Sequence, residues 1–386
     1  MRHVTQELHI IFGSATPSVV SLERAQRQTY RLVKLEKRFY HTALPIIESV
    51  PLDPSTVRKT GWISPLMRDA IKEALDTGQQ ALLFINRRGS HCFARCNNCK
   101  TIQRCPSCKV PCTVHYSHLL RCHHCCVEYP LPERCSCGSL SHFIERHGVG
   151  TQTIATEAQK LFKTARIERI DLDSLSDRKR WPEVLKSMLA REIQILVGTQ
   201  MITKGYHFPH LSLVGAVWAD MHTTVPHYLA YEQTIQQLIQ VGGRAGREYG
   251  RGKVILQTLC DPRVATFAQE SQYHNFCAQE IEMRATFQNP PFTKVAHLVF
   301  QNEDEIRLIQ ECTMILEHSK RFFYDEQCTL RGPFSATRYD FQGTFTSYFL
   351  ARAPSYNFLQ TFMKDLATLS LSSRIIYIPN PLSNFF

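Results

Sequence analysis

Apolar positions along this chain fall into short unbroken runs separated by amphipathic stretches, and the alternation repeats. "QALLFINRRG" (80–89), "IQILVGTQ" (193–200), "LSLVGAVWAD" (211–220) and "GKVILQT" (252–258) are apolar at successive positions, the pattern of buried strands. "SPLMRDAIKEALDTG" (64–78) reads as a helix, with Ser64 as N-cap, Pro65 in the first helical position and Gly78 as the stop. "GVGTQTIATEAQKLF" (148–162), "RKRWPEVLKSMLA" (178–190) and "YEQTIQQLIQVGGRAGR" (231–247) read as further helices, and "RIERIDLD" (166–173) as a further strand. Helix alternating with apolar strand predicts an α/β layer. Near the start, "HIIFGSATPS" (9–18) reads as a buried strand entering a small-residue loop at its carboxyl end. In sheets flanked by helices, such loops sit at the working crevice.

The pattern breaks twice. Between about residue 92 and residue 148 the helix–strand beat stops for a polar, cysteine-rich segment, then resumes, so this segment is an insertion in one α/β domain. After "NPPF" (289–292) a helix, "DEIRLIQECTMILEHSKRFF", is followed by short strands such as "TSYFLARA" and "RIIYIPNP", which predicts a separate α+β domain.

Composition narrows the class. The 386 residues are 43% hydrophobic and 20% charged, with no apolar run near the roughly 20 residues of a membrane span. The amino terminus lacks a signal-peptide core, and the expected setting is the cytoplasm, with no membrane partner. The net charge of +11 points to nucleic acid as a partner. Two zinc ions on eight thiolates would lower that charge to about +7, and the signal survives.

Cysteine placement is sharper than cysteine count. Eleven of the fifteen lie between Cys92 and Cys137. They form the pairs Cys96/Cys99, Cys105/Cys108 and Cys122/Cys125, each C-x-x-C, and the shorter Cys135/Cys137. Such pairs converge two thiolates on one tetrahedral ion, and two pairs close a structural site. "CNNCKTIQRCPSCK" is too polar for a core segment, so metal binding is expected rather than packing. For the C-x-C pair, Cys126, His123, His124 and His142 are alternative ligands; Cys92 and Cys112 are read as bystanders.

Two loops hold residue types suited to phosphate, with a solvated surface loop as the alternative for each. "GTQMITKGYHFPHLSLVG" (198–215) sets Gly198, Thr199 and Gln200 at a strand end, with Lys204 and Gly205 following. "QVGGRAGR" (240–247) places Arg244 and Arg247 at a helix exit among glycines, an arrangement that suits arginines facing a γ-phosphate.

Taken in order, the Ser-Ala-Thr loop, the strand with Asn-Arg-Arg-Gly, the Gly-Thr-Gln loop and the Gln-x-x-Gly-Arg-x-Gly-Arg turn resemble motifs III to VI of superfamily 2 helicases. With the cysteine ladder after "FINRRG", the chain is similar to the PriA family of bacterial replication-restart helicases (primosomal protein N′), from about residue 8 onward. The resemblance implies a RecA-like lobe with an inserted zinc subdomain and a C-terminal α+β domain. Its implied segments are a remnant of a first lobe (1–50), the start of the second lobe (51–91), the zinc insertion (92–147), the rest of the second lobe (148–262) and the terminal domain (263–386). It implies coupling of ATP hydrolysis to DNA movement at Ser14, Ala15 and Thr16. Completion of the ATP site falls to Arg244, Arg247 and Gln240, and DNA contact to Gly198, Thr199, Gln200, Lys204 and Gly205. It also implies two zinc ions, an outer one on Cys96, Cys99, Cys135 and Cys137 and an inner one on Cys105, Cys108, Cys122 and Cys125. Implied partners are forked or single-stranded DNA, single-stranded DNA-binding protein and primosome proteins. Gly242 stands where the family usually has alanine, Tyr206 where it has histidine, and "IPNPLSNFF" lacks the usual acidic pattern.

Neither a G-x-x-x-x-G-K-[ST] loop nor a D-E-x-[HD] box follows the superfamily pattern anywhere in the sequence. The chain is therefore expected to be the carboxyl part of a 3′→5′ DNA helicase, needing ATP and Mg2+ only together with the absent motifs. The alternative is a non-catalytic zinc- and DNA-binding scaffold. A RecQ-like repair enzyme is disfavoured by the ladder's place between motifs IV and V. The first fifty residues are expected to expose apolar surface and lower solubility.

Overall fold

The computed structural model describes residues 10–35, 44–85, 91–96, 98–99, 103–106, 112–115, 119–122, 128–140, 142–147, 149–171, 175–199, 207–224, 228–246, 252–259, 261–324, 328–335 and 344–380. Two compact units divide the chain. One comprises 1–86, 150–219 and 232–277, the other 87–149, 220–231 and 278–386.

The first unit is built on a parallel sheet of six strands, numbered along the chain: β1 (Ile46–Pro51), β2 (Gln80–Phe84), β8 (Ile167–Ile170), β9 (Ile195–Gly198), β10 (Leu211–Ala216) and β11 (Lys253–Thr258). Their order is β1-β11-β10-β2-β9-β8. The most apolar runs take the centre: β2 and β9 are buried at every position and β10 at all but one. Helices cover both faces of such a sheet, which is why these strands do not alternate. Helix Pro65–Asp76 begins as expected, with Ser64 Oγ accepting from the Met67 N–H at 3.3 Å, and Gly78 ends it at φ 68°. Two buried glutamines tie loops to the sheet. Gln257 donates to the carbonyls of Trp62 (2.7 Å) and Val217 (2.8 Å) and accepts from the Ser64 N–H (3.0 Å). Gln80 donates to the carbonyls of Met188 and Ile193.

Two expectations fail here. Ile10, Ile11 and Phe12 form no strand and are 70%, 93% and 75% exposed. Among the described residues the sheet order sets no strand beside them, and an apolar run without a ladder partner stays largely open to water. Second, Ile46–Pro51, expected to belong almost wholly to the remnant of a first lobe, pairs parallel with β11 from Ile46↔Lys253 to Pro51↔Thr258. Leu32, Val33 and Leu35 share the exposure of the first residues, matching the expected apolar surface.

In the second unit, strands β12 (Lys294–Asn302), β13 (Thr329–Ser335), β14 (Phe345–Ala353) and β15 (Arg374–Pro379) form an antiparallel sheet ordered β13-β14-β12-β15. Helices Glu305–Ser319 and Tyr356–Leu366 complete a β-α-β-β-α-β sequence, the split βαβ arrangement. Its core joins Ala296, Leu298 and Phe300 to Phe349, Ala351, Ile315, Leu359 and Phe362. Glu311, buried on the first helix, accepts from Ser372 and Ser373 N–H groups and anchors the entry to β15. The cysteine segment makes a separate antiparallel sheet, β6-β5-β4-β3-β7, from β3 (His91–Cys96), β4 (Thr113–His115), β5 (Leu119–Arg121), β6 (Glu128–Pro130) and β7 (His142–His147).

Candidate functional site

The cysteine sheet cannot hold itself together by burial. Three of its strands have three residues each. Its core is Cys105, Cys112, Val114, Leu120 and Cys122, with Tyr129, Leu131 and Phe287 packed against it. Sheets this small need a crosslink.

One cluster has the donors for a metal crosslink. Cys96, Cys99, Cys135 and Cys137 bring their Sγ atoms within 4.8 Å of one another, with Cys96–Cys137 at 3.6 Å and Cys99–Cys135 at 3.5 Å. A tetrahedral ion with Zn–S bonds of about 2.3 Å needs S···S separations of about 3.8 Å. The donor set fits. The short pair converges because its turn is tight: the Gly138 N–H donates to the Cys135 carbonyl and the Cys135 N–H to the Ser139 carbonyl, both at 2.8 Å. Burial opposes ionisation of Cys96, yet the N–H groups of Cys99 and Asn98 outweigh it and hold the thiol below its ordinary value. The Asn98 N–H lies 3.4 Å from Cys96 Sγ. Such contacts prepare a thiolate for a cation.

A second cluster joins Cys105, Cys112 and Cys122, all buried and mutually within 4.8 Å. The Cys122 contact and burial push the Cys112 thiol upward, an opposition that a dication would reverse. Tyr129 places its hydroxyl 3.2 Å from Cys112 Sγ and 2.9 Å from the Arg104 carbonyl oxygen. Cys112, read as a bystander, thus stands inside the cluster. Spacing alone hid it, because it lies outside any C-x-x-C pair. Cys108, Cys125, Cys126, His123 and His124 lie outside the described residues, as do the side chains of Cys92 and His142.

The first unit holds the other predicted residues that are described. The Ser14-Ala15-Thr16 loop docks on helix Ala230–Gly242. Gln240 Nε2 donates to Thr16 Oγ1 at 3.1 Å, and Gln236 Nε2 to the Thr16 carbonyl at 3.2 Å. Within the loop, the Thr16 N–H donates to Ser14 Oγ. Glu232, one turn earlier, accepts from the Val19 N–H at 3.0 Å. Tyr273 accepts from Gln236 and donates to the Pro17 carbonyl at 2.7 Å; burial raises its phenol and keeps that proton in place. Glu232, Gln236 and Tyr273 were not singled out from sequence. The first two carried a signal, since Glu232, Gln236 and Gln240 recur at intervals of four on one helix face.

The same helix exits into the turn with Arg244, which is half-buried, and the Gly246 N–H donates to the Leu211 carbonyl at 2.9 Å. Gly252 lies so close beneath that an added Cβ would meet Ala245 backbone atoms at 2.4–2.6 Å, so only glycine lets β11 begin there. Gly198 ends β9 and Thr199 behind it is buried. Arg247, Gln200, Lys204 and Gly205 lie outside the described residues.

Among the described residues, no helix is long and apolar enough to cross a membrane. No family model matches the chain. Curated relatives do. The chain is 35% identical over 312 residues to the replication restart protein PriA of Rickettsia felis, covering 80% of this chain and 48% of that protein. It is 33% identical to the PriA protein of Bacillus subtilis over 76% of this chain and 37% of that one. With the PriA protein of Chlamydia muridarum the identity is 31% over 98% of this chain and 51% of the other. This chain therefore spans about half the length of such relatives. Among solved structures, S. cerevisiae Dbp5 bound to RNA and ADP BeF3 covers 69% of this chain and 54% of its own at 9% identity and TM-score 0.32, too loose a likeness to inform function.

Proposed function

The chain is a homologue of the PriA replication restart proteins over most of its own length and about half of theirs, and from that premise we propose that it is the carboxyl portion of an ATP-driven 3′→5′ DNA helicase of replication restart. The observation that carries this reading is the docking of Thr16 onto Gln240, one turn before Arg244. A loop that senses a nucleotide at one end and a helix that delivers arginines to it must be mechanically joined, and here a hydrogen bond joins them. In this reading Ser14 and Thr16 couple, Gln240 positions, and Arg244 with Arg247 complete the nucleotide site. Gly198, Thr199, Gln200, Lys204 and Gly205 meet the DNA backbone through N–H groups and one cation. Zinc is structural: Cys96, Cys99, Cys135 and Cys137 would hold one ion and the inner cysteines a second, fixing the small sheet without entering the reaction. Forked DNA and primosome proteins are the proposed partners, in the cytoplasm.

Without a phosphate-cradling lysine loop or a magnesium-binding acidic box, this polypeptide by itself is proposed to hydrolyse no ATP. The test measures DNA-stimulated ATP hydrolysis by the purified chain, alone and mixed with a polypeptide carrying both motifs. Activity in the mixture that Arg244→Ala abolishes supports the reading. Activity of the chain alone overturns the inactivity, and DNA binding with no activity in either case favours the scaffold reading.

A further inference from the structure

We propose that Tyr273 is a positioning residue that pins the Ser14–Thr16 loop to helix Ala230–Gly242, so that the loop and the turn carrying Arg244 are set in one geometry. The proposal deepens the reading above and rests on its coupling step.

The contacts that fasten the loop are all long-range. The Val19 N–H meets Glu232, the Thr16 carbonyl meets Gln236, Thr16 Oγ1 meets Gln240 and the Pro17 carbonyl meets Tyr273, across 213 to 256 residues of sequence. The first three partners share one face of helix Ala230–Gly242, whereas Tyr273 begins helix Tyr273–Thr286. Its phenol is the node between them. The oxygen accepts from Gln236 Nε2 at 3.0 Å and donates to the Pro17 carbonyl at 2.7 Å, and the same Gln236 nitrogen lies 3.1 Å from Glu232 Oε1. One hydroxyl thus joins the backbone of the loop to the row of side chains on the helix. Proline sharpens the tie: Pro17 has no N–H, so its carbonyl is the one backbone group through which that residue can be held. The Tyr273 ring is 6% exposed and packs against Phe276 with centroids 6.0 Å apart, and Phe276 meets Phe267 at 5.6 Å. A ring locked by its neighbours fixes where its hydroxyl points, the support a precise site needs around it. Arg244 leaves the same helix one turn after Gln240, so a loop fastened at Gln236 and Gln240 is fastened relative to Arg244.

Tyr273→Phe keeps the ring and removes the proton donated to Pro17. Its effect is read by amide exchange of the full chain and by DNA-stimulated ATP hydrolysis in the mixture with the polypeptide that carries both missing motifs. Val19 is expected to exchange about tenfold faster while β2 and β9 stay protected. In the mixture kcat is expected to fall about tenfold or more with the KM for ATP unchanged. Because β2 and β9 report the folded fraction, such a fall is not a loss of folded protein. If Tyr273→Phe loses that protection, Gln236→Leu, which removes the donor to the phenol, is read in its place with the same expectations. Unchanged exchange at Val19 overturns the proposal. So does faster exchange with an unchanged kcat, which would make the hydroxyl a structural tie only. A parent mixture without activity fails the helicase reading instead. Exchange alone then decides: an unchanged Val19 overturns the pin, and a faster one supports it.

Discussion

The parallel sheet and the cysteine sheet solve the same problem with opposite means. In β2 and β9 every side chain is buried, each strand is held by two neighbours, and helix Pro65–Asp76 packs on β2 and helix Thr151–Leu161 on β9. In β4, β5 and β6 there are three residues apiece, and the buried core of that sheet counts more cysteines than aliphatic side chains. The first sheet can lose one contact and stand. The second gathers its sulfurs into two clusters with the donors for metal ions. A large apolar core and a small thiol cluster in one chain should thus fail under different insults.

Metal removal should have the largest effect. Binding of a structural zinc ion contributes about 10–16 kcal/mol in small zinc domains. Chelation of the reduced chain is expected to abolish amide-exchange protection across 91–147 and leave β2, β9 and β10 protected. Retained protection in the cysteine sheet would break the comparison. Next, Gln257→Leu strips the partners from the Trp62 and Val217 carbonyls and the Ser64 N–H. At about 1–3 kcal/mol for each orphaned group, it should cost about 3 kcal/mol or more in denaturant titration while the bound zinc stays constant.

The C-terminal sheet has an apolar core of its own and adds a buried carboxylate as an anchor. Burial opposes the charge on Glu311, but the Ser373 and Ser372 hydroxyls and N–H groups outweigh it and hold the carboxyl below its ordinary value. A depressed folded-state value contributes stability above the ordinary carboxylate range that is lost as pH falls through and below it. Acid also displaces zinc from thiolates, so pH alone cannot separate the regions. Glu311→Gln can: it should cost about 1–2 kcal/mol at pH 7 and flatten the acid response of β12–β15 only, as followed by amide exchange. The smallest effect is a gain. Gly242 closes helix Ala230–Gly242, and an added Cβ would meet Val254 at an ordinary 3.5 Å. Gly242→Ala should stabilise the first unit by about 0.5–1 kcal/mol, seen as a higher denaturation midpoint with unchanged zinc.

Legibility followed the same divide. Period and caps revealed the parallel sheet, because runs such as "QALLF" and the Ser64–Pro65–Gly78 frame are local signals of what the backbone does. They misjudged Ile10–Phe12, whose strand-like pattern says nothing about whether a neighbour exists, and passed over the edge strand Ile46–Pro51, which Pro45 precedes and Pro51 ends. Motif spacing revealed the outer cysteines, including the short Cys135/Cys137 pair. It passed over Cys112, whose place depends on hairpin register rather than on distance along the chain. Gln240 and Thr16 were each singled out from sequence, but the hydrogen bond between them was not legible, since they are 224 residues apart in sequence.

The first and last strands of the cysteine sheet pair with each other, from His91↔His147 to Cys96↔His142. The chain therefore departs and returns at nearly one point, with antiparallel partners about 5 Å apart. Such a segment is a cassette. It can be shortened, lengthened or exchanged for a tight turn while its two ends stay where they are.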